Sequence, residues 1–519
     1  MSKFVLPSSD PTKIVAVGSS QKTTKDASTA TRGTITPLID GEAALREMQE
    51  SMSRAKSYIF ISAWYLHVNT KLPCGKGTVQ LDTLLKNLAT QGKKIFILLS
   101  YLENRPIKIG KEKFNLFQQS RPASAIAAQL SRIHPNVIAR VDKHPYQISL
   151  LGMTRILASQ HEKFMVVDGE VAFCGGLEFT RDYSTSSQEH NVPLGLRHDI
   201  HTKCEGSVAA HFDTHFRARW IEVENLKIKE SSRRKPSRVV LPKAGTPADN
   251  KVHAVQVVRT RTGERMADGA PRVIVREIYD SYIAAINEAK KLIYIEQQYF
   301  RERILAEKIA ARLRDSNAAN LEVIILLPER PEEPPSKLTD HVNYLQAQAL
   351  EIVQQAAPSR VGFFSIRKVK SRSKTAIYVH SKIMIVDDKW VTIGSANTNP
   401  RSFWVDSEVN LLVRDDQVAK ELRKALWKEH LQVSDKDLDE SSIGKRRLTF
   451  LGMWKAVANG TYRCEETRRR PNNRTIIHKP LKGKRINLED FGIQWYQRMF
   501  LPDIDLLALQ TTDEQKIVV

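Results

Sequence analysis

Apolar and polar positions along the chain fall into the same succession of elements twice. GEAALREMQESMSRAKSYIFISAWYL (41–66) spaces its apolar residues as an amphipathic helix ending near residue 56, then becomes a buried strand at 58–64. KKIFILLS (93–100) and NVIARVD (136–142) read as two further strands. The second half repeats the plan. REIYDSYIAAINEAKKLIYIEQQYF (276–300) gives helix then strand, LEVIILLP (321–328) matches KKIFILLS, and VGFFSIRKVK (361–370) matches NVIARVD. Ala55-Lys56 and Tyr58-Ile59 align by eye with Ala289-Lys290 and Leu292-Ile293. Strands alternating with helices predict an α/β sandwich in each half. A repeat this long is a duplicated domain, since solenoid repeats run to only ~20–50 residues.

Each half then presents the same short pattern. HEKFMVVDGEVAFCGGLE places His161, Lys163, Asp168 and Gly175-Gly176; VHSKIMIVDDKWVTIGSAN places His380, Lys382, Asp387 and Gly394-Ser395, followed by Asn397. The offsets from His to Lys, to Asp and to the small pair are the same in both. Each His-x-Lys opens an apolar run of strand composition, and residues two apart on a strand share a face. An imidazole and an ammonium are thus offered to one small volume, twice. A single copy reads as an ordinary histidine bordering a strand. Two copies with identical spacing, in a chain with 14 histidines among 519 residues, point to function.

The boundaries that follow are a flexible segment at 1–35, a first lobe at 36–223, a basic linker at 224–252, a second lobe at 253–432 and a basic extension at 433–519. Residues 101–135 read as an insertion that the second half matches poorly. The extension carries KRR (445–447), RRR (468–470) and KGKR (482–485) among Trp454, Tyr462, Trp495 and Tyr496. Such a mixture suits a lipid interface or stacking on bases, or else a solvated subdomain packed on the core.

Composition narrows the partners. A formal net charge of +22 favours an anionic one: a phospholipid surface, nucleic acid or another phosphate compound. Four scattered cysteines with no C-x-x-C pair form no disulfide framework, and Cys174 reads as a small buried hydrophobe. The first twenty residues hold no apolar run of signal-peptide length, and no stretch reaches the ~18 apolar residues of a membrane span. The expectation is synthesis in the cytoplasm, a peripheral place at membranes, and no visible export signal. Asn459-Gly460-Thr461 and Asn473-Arg474-Thr475 match the glycosylation pattern, to which no signal peptide gives meaning.

Two imidazoles and two ammoniums at the interface of duplicated halves suit phosphodiester cleavage by covalent catalysis. One neutral histidine attacks phosphorus, and the other, protonated, gives its proton to the leaving oxygen and then activates water. A lysine about 4 Å from a phosphate oxygen contributes roughly 4 kcal/mol at an effective dielectric of about 20, before desolvation. No metal or other cofactor is called for. A histidine so used needs its second nitrogen held, and Asp199 (in RHDIH) and Glu408 (in DSEVNLLV) lie downstream of the small pairs in the right setting. Asp168 and Asp387, at the far ends of their strands, suit turns. His211 and His215 have helical spacing that would fit zinc, with no acidic residue or cysteine nearby to complete a set; a helix face carrying two histidines is the plainer reading. His198 and His201 read as facing opposite ways on one strand.

The paired HxKxxxxD motifs, each followed by GG or GS, resemble the phospholipase D superfamily over most of residues 37–432. YVHSKIMIVDD and IGSANTNPRSFWVDSE resemble the second catalytic block of its eukaryote-like phospholipases D, IYIEQQYF (293–300) their IYIENQ-type segment, and HEKFMVVDGEVAFCGGLEFTRDY with RHDIH the first block. The resemblance implies a bilobed α/β fold with one shared site on a pseudo-two-fold, and a metal-free ping-pong reaction. It implies His161 as nucleophile and His380 as general acid. Lys163, Lys382 and Asn397 would hold phosphate, with Asp199 and Glu408 orienting the histidines. Glu178 stands where Asn397 has its counterpart, so phosphate binding is not carried onto it.

The expected function is hydrolysis of glycerophospholipids to phosphatidic acid and head-group alcohol, with transfer to other alcohols as a side reaction. No obligate homo-oligomer is expected. A compact catalytic unit of this kind also resembles bacterial phospholipases D delivered by type VI secretion. The alternatives are a nuclease of the superfamily, a cardiolipin synthase-like phosphatidyltransferase, and a basic lipid-binding protein on an inactive scaffold.

Overall fold

The computed structural model describes residues 31–481 apart from 102–106, 110–111, 115–121, 143–147, 151–152, 156–158, 181–196, 231–240, 243–252, 266–270, 331–336, 371–372, 447, 466 and 472–473. The first lobe runs β1 (Thr31–Ile39), α1 (Asp40–Ser53), β2 (Tyr58–Ala63), α2 (Leu81–Thr90), β3 (Lys94–Ser100), α3 (Ala123–Ser131), β4 (Val137–Asp142), β5 (Phe164–Val167), β6 (Val171–Gly175), β7 (Ile200–Glu205) and α4 (Ser207–Glu230). Its sheet has the order β4-β3-β2-β5-β6-β7-β1, with β2, β3 and β4 parallel and the remaining neighbours antiparallel.

The second lobe runs β8 (His253–Arg265), α5 (Glu277–Glu288), β9 (Leu292–Gln297), α6 (Arg303–Arg314), β10 (Glu322–Leu326), α7 (Lys337–Ala356), β11 (Val361–Lys370), β12 (Lys382–Val386), β13 (Trp390–Gly394), β14 (Glu408–Arg414) and α8 (Asp416–Leu431). Its sheet order, β11-β10-β9-β12-β13-β14-β8, repeats that of the first strand for strand. β1 pairs with β8 at Thr31–Gly33, so the two sheets join edge to edge.

Burial explains the composition of the strands. All six residues of β2 and all six of β9 are buried, as befits parallel strands covered on both faces. In α2, Leu81, Leu84, Leu85 and Leu88 form the buried stripe, and Gly92, at φ +89°, ends the helix where a side chain would be strained. Helices α1–α3 cover one face of the first sheet and α5–α7 one face of the second. A continuous inner core joins the other faces; there Phe60 stacks on Phe216 of α4 at 4.4 Å. Cys174 is fully buried in that core.

Several expectations change. Residues 31–35, within the segment read as flexible, belong to β1, the edge strand that joins the two sheets. Helix α4 runs to Glu230, past the start of the supposed linker. The region 101–135 does have a counterpart: α3 precedes β4 as the longer α7 precedes β11. The extension is built into the second lobe. Its helix α9 (Phe450–Ala458) packs Trp454 fully buried against Tyr294, Phe364 and Trp427, and its strand β15 (Thr475–Ile477) pairs with β11. Tyr462 is buried and donates to Asp437 at 2.8 Å. Neither aromatic can grip a lipid surface. Arg447, Asn473, residues 482–485, Trp495 and Tyr496 lie outside the described residues. Among the described residues no helix is long and apolar enough to cross a membrane.

Asp168 and Asp387 occupy equivalent turns at φ +53° and +54°. Asp168 accepts from the backbone N–H groups of Lys56, Ser57 and Tyr58 at 2.6–2.8 Å, and Asp387 from those of Lys290, Lys291 and Leu292 at 2.7–2.8 Å. Each carboxylate thus pins the start of the central strand of its lobe. Asp168→Ala leaves three donors without their acceptor, the Tyr58 N–H buried and those of Lys56 and Ser57 part-buried, and should destabilise the fold by about 2–4 kcal/mol in urea denaturation. Asp168→Asn, which keeps an acceptor, should lose markedly less.

Candidate active site

Both motif histidines are delivered by backbone bonds to the opposite lobe. The His161 N–H donates to the Ser407 carbonyl at 2.9 Å, beside a parallel bridge between Gln160 and Ser407. The His380 N–H donates to the His198 carbonyl at 2.8 Å, where residues 197–198 pair in parallel with residues 378–379.

The side chains cross in the same way. His161 Nδ1 lies 2.9 Å from Glu408 Oε1, and His380 Nδ1 lies 2.7 Å from Asp199 Oδ2. Each histidine of one lobe is therefore completed by a carboxylate of the other. The carboxylates are 0–1% exposed and the histidine side chains 16% and 10%, so the imidazole is the accessible member of each pair. With Nδ1 given to a carboxylate, Nε2 is the nitrogen assigned to chemistry in both.

The small pairs make this possible. A Cβ on Gly176 would sit 2.2 Å from Asp199 Oδ1, so glycine is the residue that admits the carboxylate. At the equivalent place in the second lobe, Ser395 Oγ donates to Glu408 at 2.5 Å, and Ser402 Oγ adds a second hydroxyl at 2.6 Å. Gly175 and Gly394 approach His201 and Asn410 just as closely.

The two lysines are buried beside the histidines. Lys163 Nζ donates to the His161 carbonyl at 3.0 Å and pairs with Glu178 at 3.0 Å. Glu178 also accepts from the N–H groups of Trp64 and Tyr65 at 3.3–3.4 Å, so it is turned toward its lysine rather than left unpaired. Lys382 Nζ donates to the His380 carbonyl and lies 3.4 Å from Gln298 Oε1. Asn397 is 5% exposed, and its Oδ1 has no hydrogen-bond partner among the described residues.

Burial dominates the protonation of the whole group. It holds His161 and His380 well below the ordinary histidine value, helped by Lys163 at the first and Lys382 at the second. It lowers Lys382 to about 7 and raises Asp199 to about 7 and Glu408 to about 8. Lys163 and Lys382 act on both histidines, so the four groups share one site.

Ser402, Gln298 and the pairing of Glu178 with Lys163 were not legible as site features in sequence. Ser402 lies five residues after Asn397, and Gln298 directly follows β9, the strand that aligns with β2; aligning the halves gives no warning of either. His211 and His215 both lie on α4, as their spacing implied, but His215 is no plain helix-face residue. It is buried and bonded to Glu162 at 3.0 Å, an acidic neighbour that the sequence reading overlooked. His198 and His201 do not share one strand: His198 precedes Asp199, and His201 lies within β7.

Residues 181–322 match the family described as phospholipase D, and residues 282–429 the family described as cardiolipin synthase, PLD-like domain. The chain is 26% identical over 466 residues to phospholipase D A of Dictyostelium discoideum, covering 74% of this chain and 34% of that one. It is 22% identical over 423 residues to cardiolipin synthase 1 of Staphylococcus epidermidis, covering 81% and 70%. The chain thus spans about a third of the first relative. Phosphatidylserine synthase of Haemophilus influenzae Rd KW20 superposes on 78% of this chain and 87% of its own, with a TM-score of 0.49 and 16% identity. With these motifs and matches, the chain belongs to the phospholipase D superfamily.

Gly176→Ala should displace Asp199 and lower turnover of a phosphodiester about 10²-fold with an unchanged circular dichroism spectrum; a rate within twofold of the parent would remove Asp199 from any role in orienting His380. An oxyanion bound between the lysines offsets the field that depresses the histidines. Binding of inorganic phosphate or tungstate at pH 7 should therefore take up about one proton, read by calorimetry in two buffers of different ionisation enthalpy. Proton release would contradict the assignment.

Proposed function

We propose that the chain is a phospholipase D that cleaves glycerophospholipids to phosphatidic acid and free head-group alcohol. The observation that supports it most is the crossed pairing of His161 with Glu408 and His380 with Asp199 around Lys163 and Lys382. In this reading, Nε2 of neutral His161 attacks phosphorus. The bond to the head-group oxygen breaks, and His380 gives that oxygen its proton. Neutral His380 then takes a proton from water, whose oxygen attacks phosphorus as the bond to His161 breaks, leaving phosphatidic acid and the resting enzyme. Lys163, Lys382 and the Asn397 amide stabilise the charge on the non-bridging oxygens. Glu178 must yield Lys163, in part, to the incoming phosphate.

The chain carries its own positive charge at the site, which supports a reaction without metal. The net charge of +22 supports work at a phospholipid surface. With both motifs in one chain, no partner subunit is needed to complete the site. A second reading, transfer of the phosphatidyl group to a lipid alcohol, is favoured by the match of residues 282–429 to the cardiolipin synthase family. Both readings share the phospho-histidine and differ in the acceptor.

The test is product analysis on mixed vesicles of phosphatidylcholine and phosphatidylglycerol with EDTA present, and plasmid digestion in parallel. Phosphatidic acid plus free head group, with plasmid intact, is the expected result. His380→Ala should lower the rate about 10²–10⁴-fold, and His161→Ala at least as much. Cardiolipin as the main product would establish the transferase. Cut plasmid with lipid untouched, or loss of activity with EDTA, would overturn the reading.

A further inference from the structure

A buried carboxylate lies beneath each motif, and the two halves supply it from different strands. In the first half it is Glu162, the middle residue of His-x-Lys, while β2 carries Ser62. In the second half it is Glu296 on β9, while the middle residue is Ser381. Phe164 pairs with Ser62 and Ile383 with Glu296, which makes these positions equivalent and the exchange reciprocal. Each glutamate takes a histidine from the last helix of its lobe at 3.0 Å: His215 of α4 for Glu162, His430 of α8 for Glu296.

The second carboxylate has a further partner. His198, fully buried, places Nδ1 2.8 Å from Asp40 and Nε2 2.9 Å from Glu296. A histidine with a carboxylate at hydrogen-bond distance on each nitrogen donates from both and carries a charge. Burial opposes that charge; Asp40 and Glu296 outweigh it and hold the ring well above the ordinary histidine value. Glu429, itself bonded to Arg474, stands 3.9 Å from Nδ1, and the His430 ring lies 4.7 Å away. Asp40 belongs to the first lobe and Glu296 to the second. His198 directly precedes Asp199, and its carbonyl receives the His380 N–H. Asp40 also accepts the Asp199 N–H at 3.3 Å.

We propose that His198 is a positioning residue, a buried imidazolium that ties Asp40 of the first lobe to Glu296 of the second and thereby sets the place and charge balance of the Asp199–His380 pair. The inference rests on that pair belonging to the site, and is independent of which phosphodiester is cleaved. The ligand atoms of His198, Glu296 and His430 lie within 4.8 Å of one another, a spacing that would also admit a metal ion. Glu296 already accepts from four donors, however: His198, His430, Ser381 at 2.9 Å and Tyr294 at 2.6 Å. That set satisfies the carboxylate without an ion.

Ring-nitrogen NMR of the full chain tests this with no substrate present. His198 should keep both nitrogens protonated at pH values where an ordinary histidine is neutral. His380 is faced by Asp199, Lys382, Arg197, Lys163 and His161, all retained in the variants. His198→Gln removes a positive charge and should make His380 bind its proton several-fold to about tenfold more tightly. Asp40→Asn removes a negative charge and should move the His380 titration the opposite way. Opposite shifts from two variants are not produced by loosening alone, and Asp40→Asn keeps the test available should His198→Gln fail to fold. A His198 titrating near the ordinary histidine value, a His380 titration unmoved in either folded variant, or one zinc per chain in the purified protein would each overturn the proposal.

Discussion

The structure depends on a pair of hydrogen bonds that cross between the lobes. His161 is held by Glu408 and His380 by Asp199, and neither histidine has its carboxylate within its own half. Much of the local architecture serves this crossing. Gly176 vacates the volume that Asp199 enters, while Ser395 and Ser402 fix Glu408 from behind. The backbone bonds from His161 to Ser407 and from His380 to His198 set the imidazoles at the seam. Asp168 and Asp387, at the far ends of the motif strands, lock the strands on which the seam is built.

The chemistry that follows is governed by desolvation. Two lysines and two histidines buried together cannot all be charged, and the histidines give way first. A neutral imidazole is what a nucleophile requires. The general acid must be protonated when the leaving oxygen departs, and an arriving phosphodiester supplies the negative charge that favours this. Lys163 already has a resident counter-ion in Glu178 at 3.0 Å, whereas the hydrogen-bond acceptors of the Lys382 ammonium among the described residues are the His380 carbonyl and the Gln298 amide oxygen. The two half-sites are thus similar in shape and unequal in charge.

Much of this was legible in the sequence because duplication writes the pattern twice. The equal offsets of His161-Lys163 and His380-Lys382 stood out, and Asp199 and Glu408 could be picked by their place after the small pairs. The crossing could not, since which carboxylate meets which imidazole is decided by how the lobes face each other. Local composition left the extension open between a surface grip and a subdomain packed on the core, and the core packing is what the structure has. Trp454 and Tyr462 sit among arginines and lysines, yet the spacing of Leu451 and Trp454 on a helix puts both against the core. Glu162 was hidden by its neighbours: between two residues of evident chemistry, it looked like a spacer. The exchange of Glu162 and Ser62 for Ser381 and Glu296 shows only when the register of both sheets is known.

The reciprocal exchange also bears on how such a chain can vary. Two identical single-lobe chains related by a two-fold axis would complete each other's histidines in the same crossed manner. In that arrangement every substitution is made twice, and a glutamate moved from one strand to another must move in both copies at once. Joined in one chain, each half is free to change separately. A buried acid can then sit on the motif in one lobe and on the neighbouring strand in the other, and one lysine can pair with a carboxylate while its twin meets an amide. The covalent link between the lobes is therefore a licence for asymmetry, and it allows one histidine to be specialised for attack and the other for proton transfer.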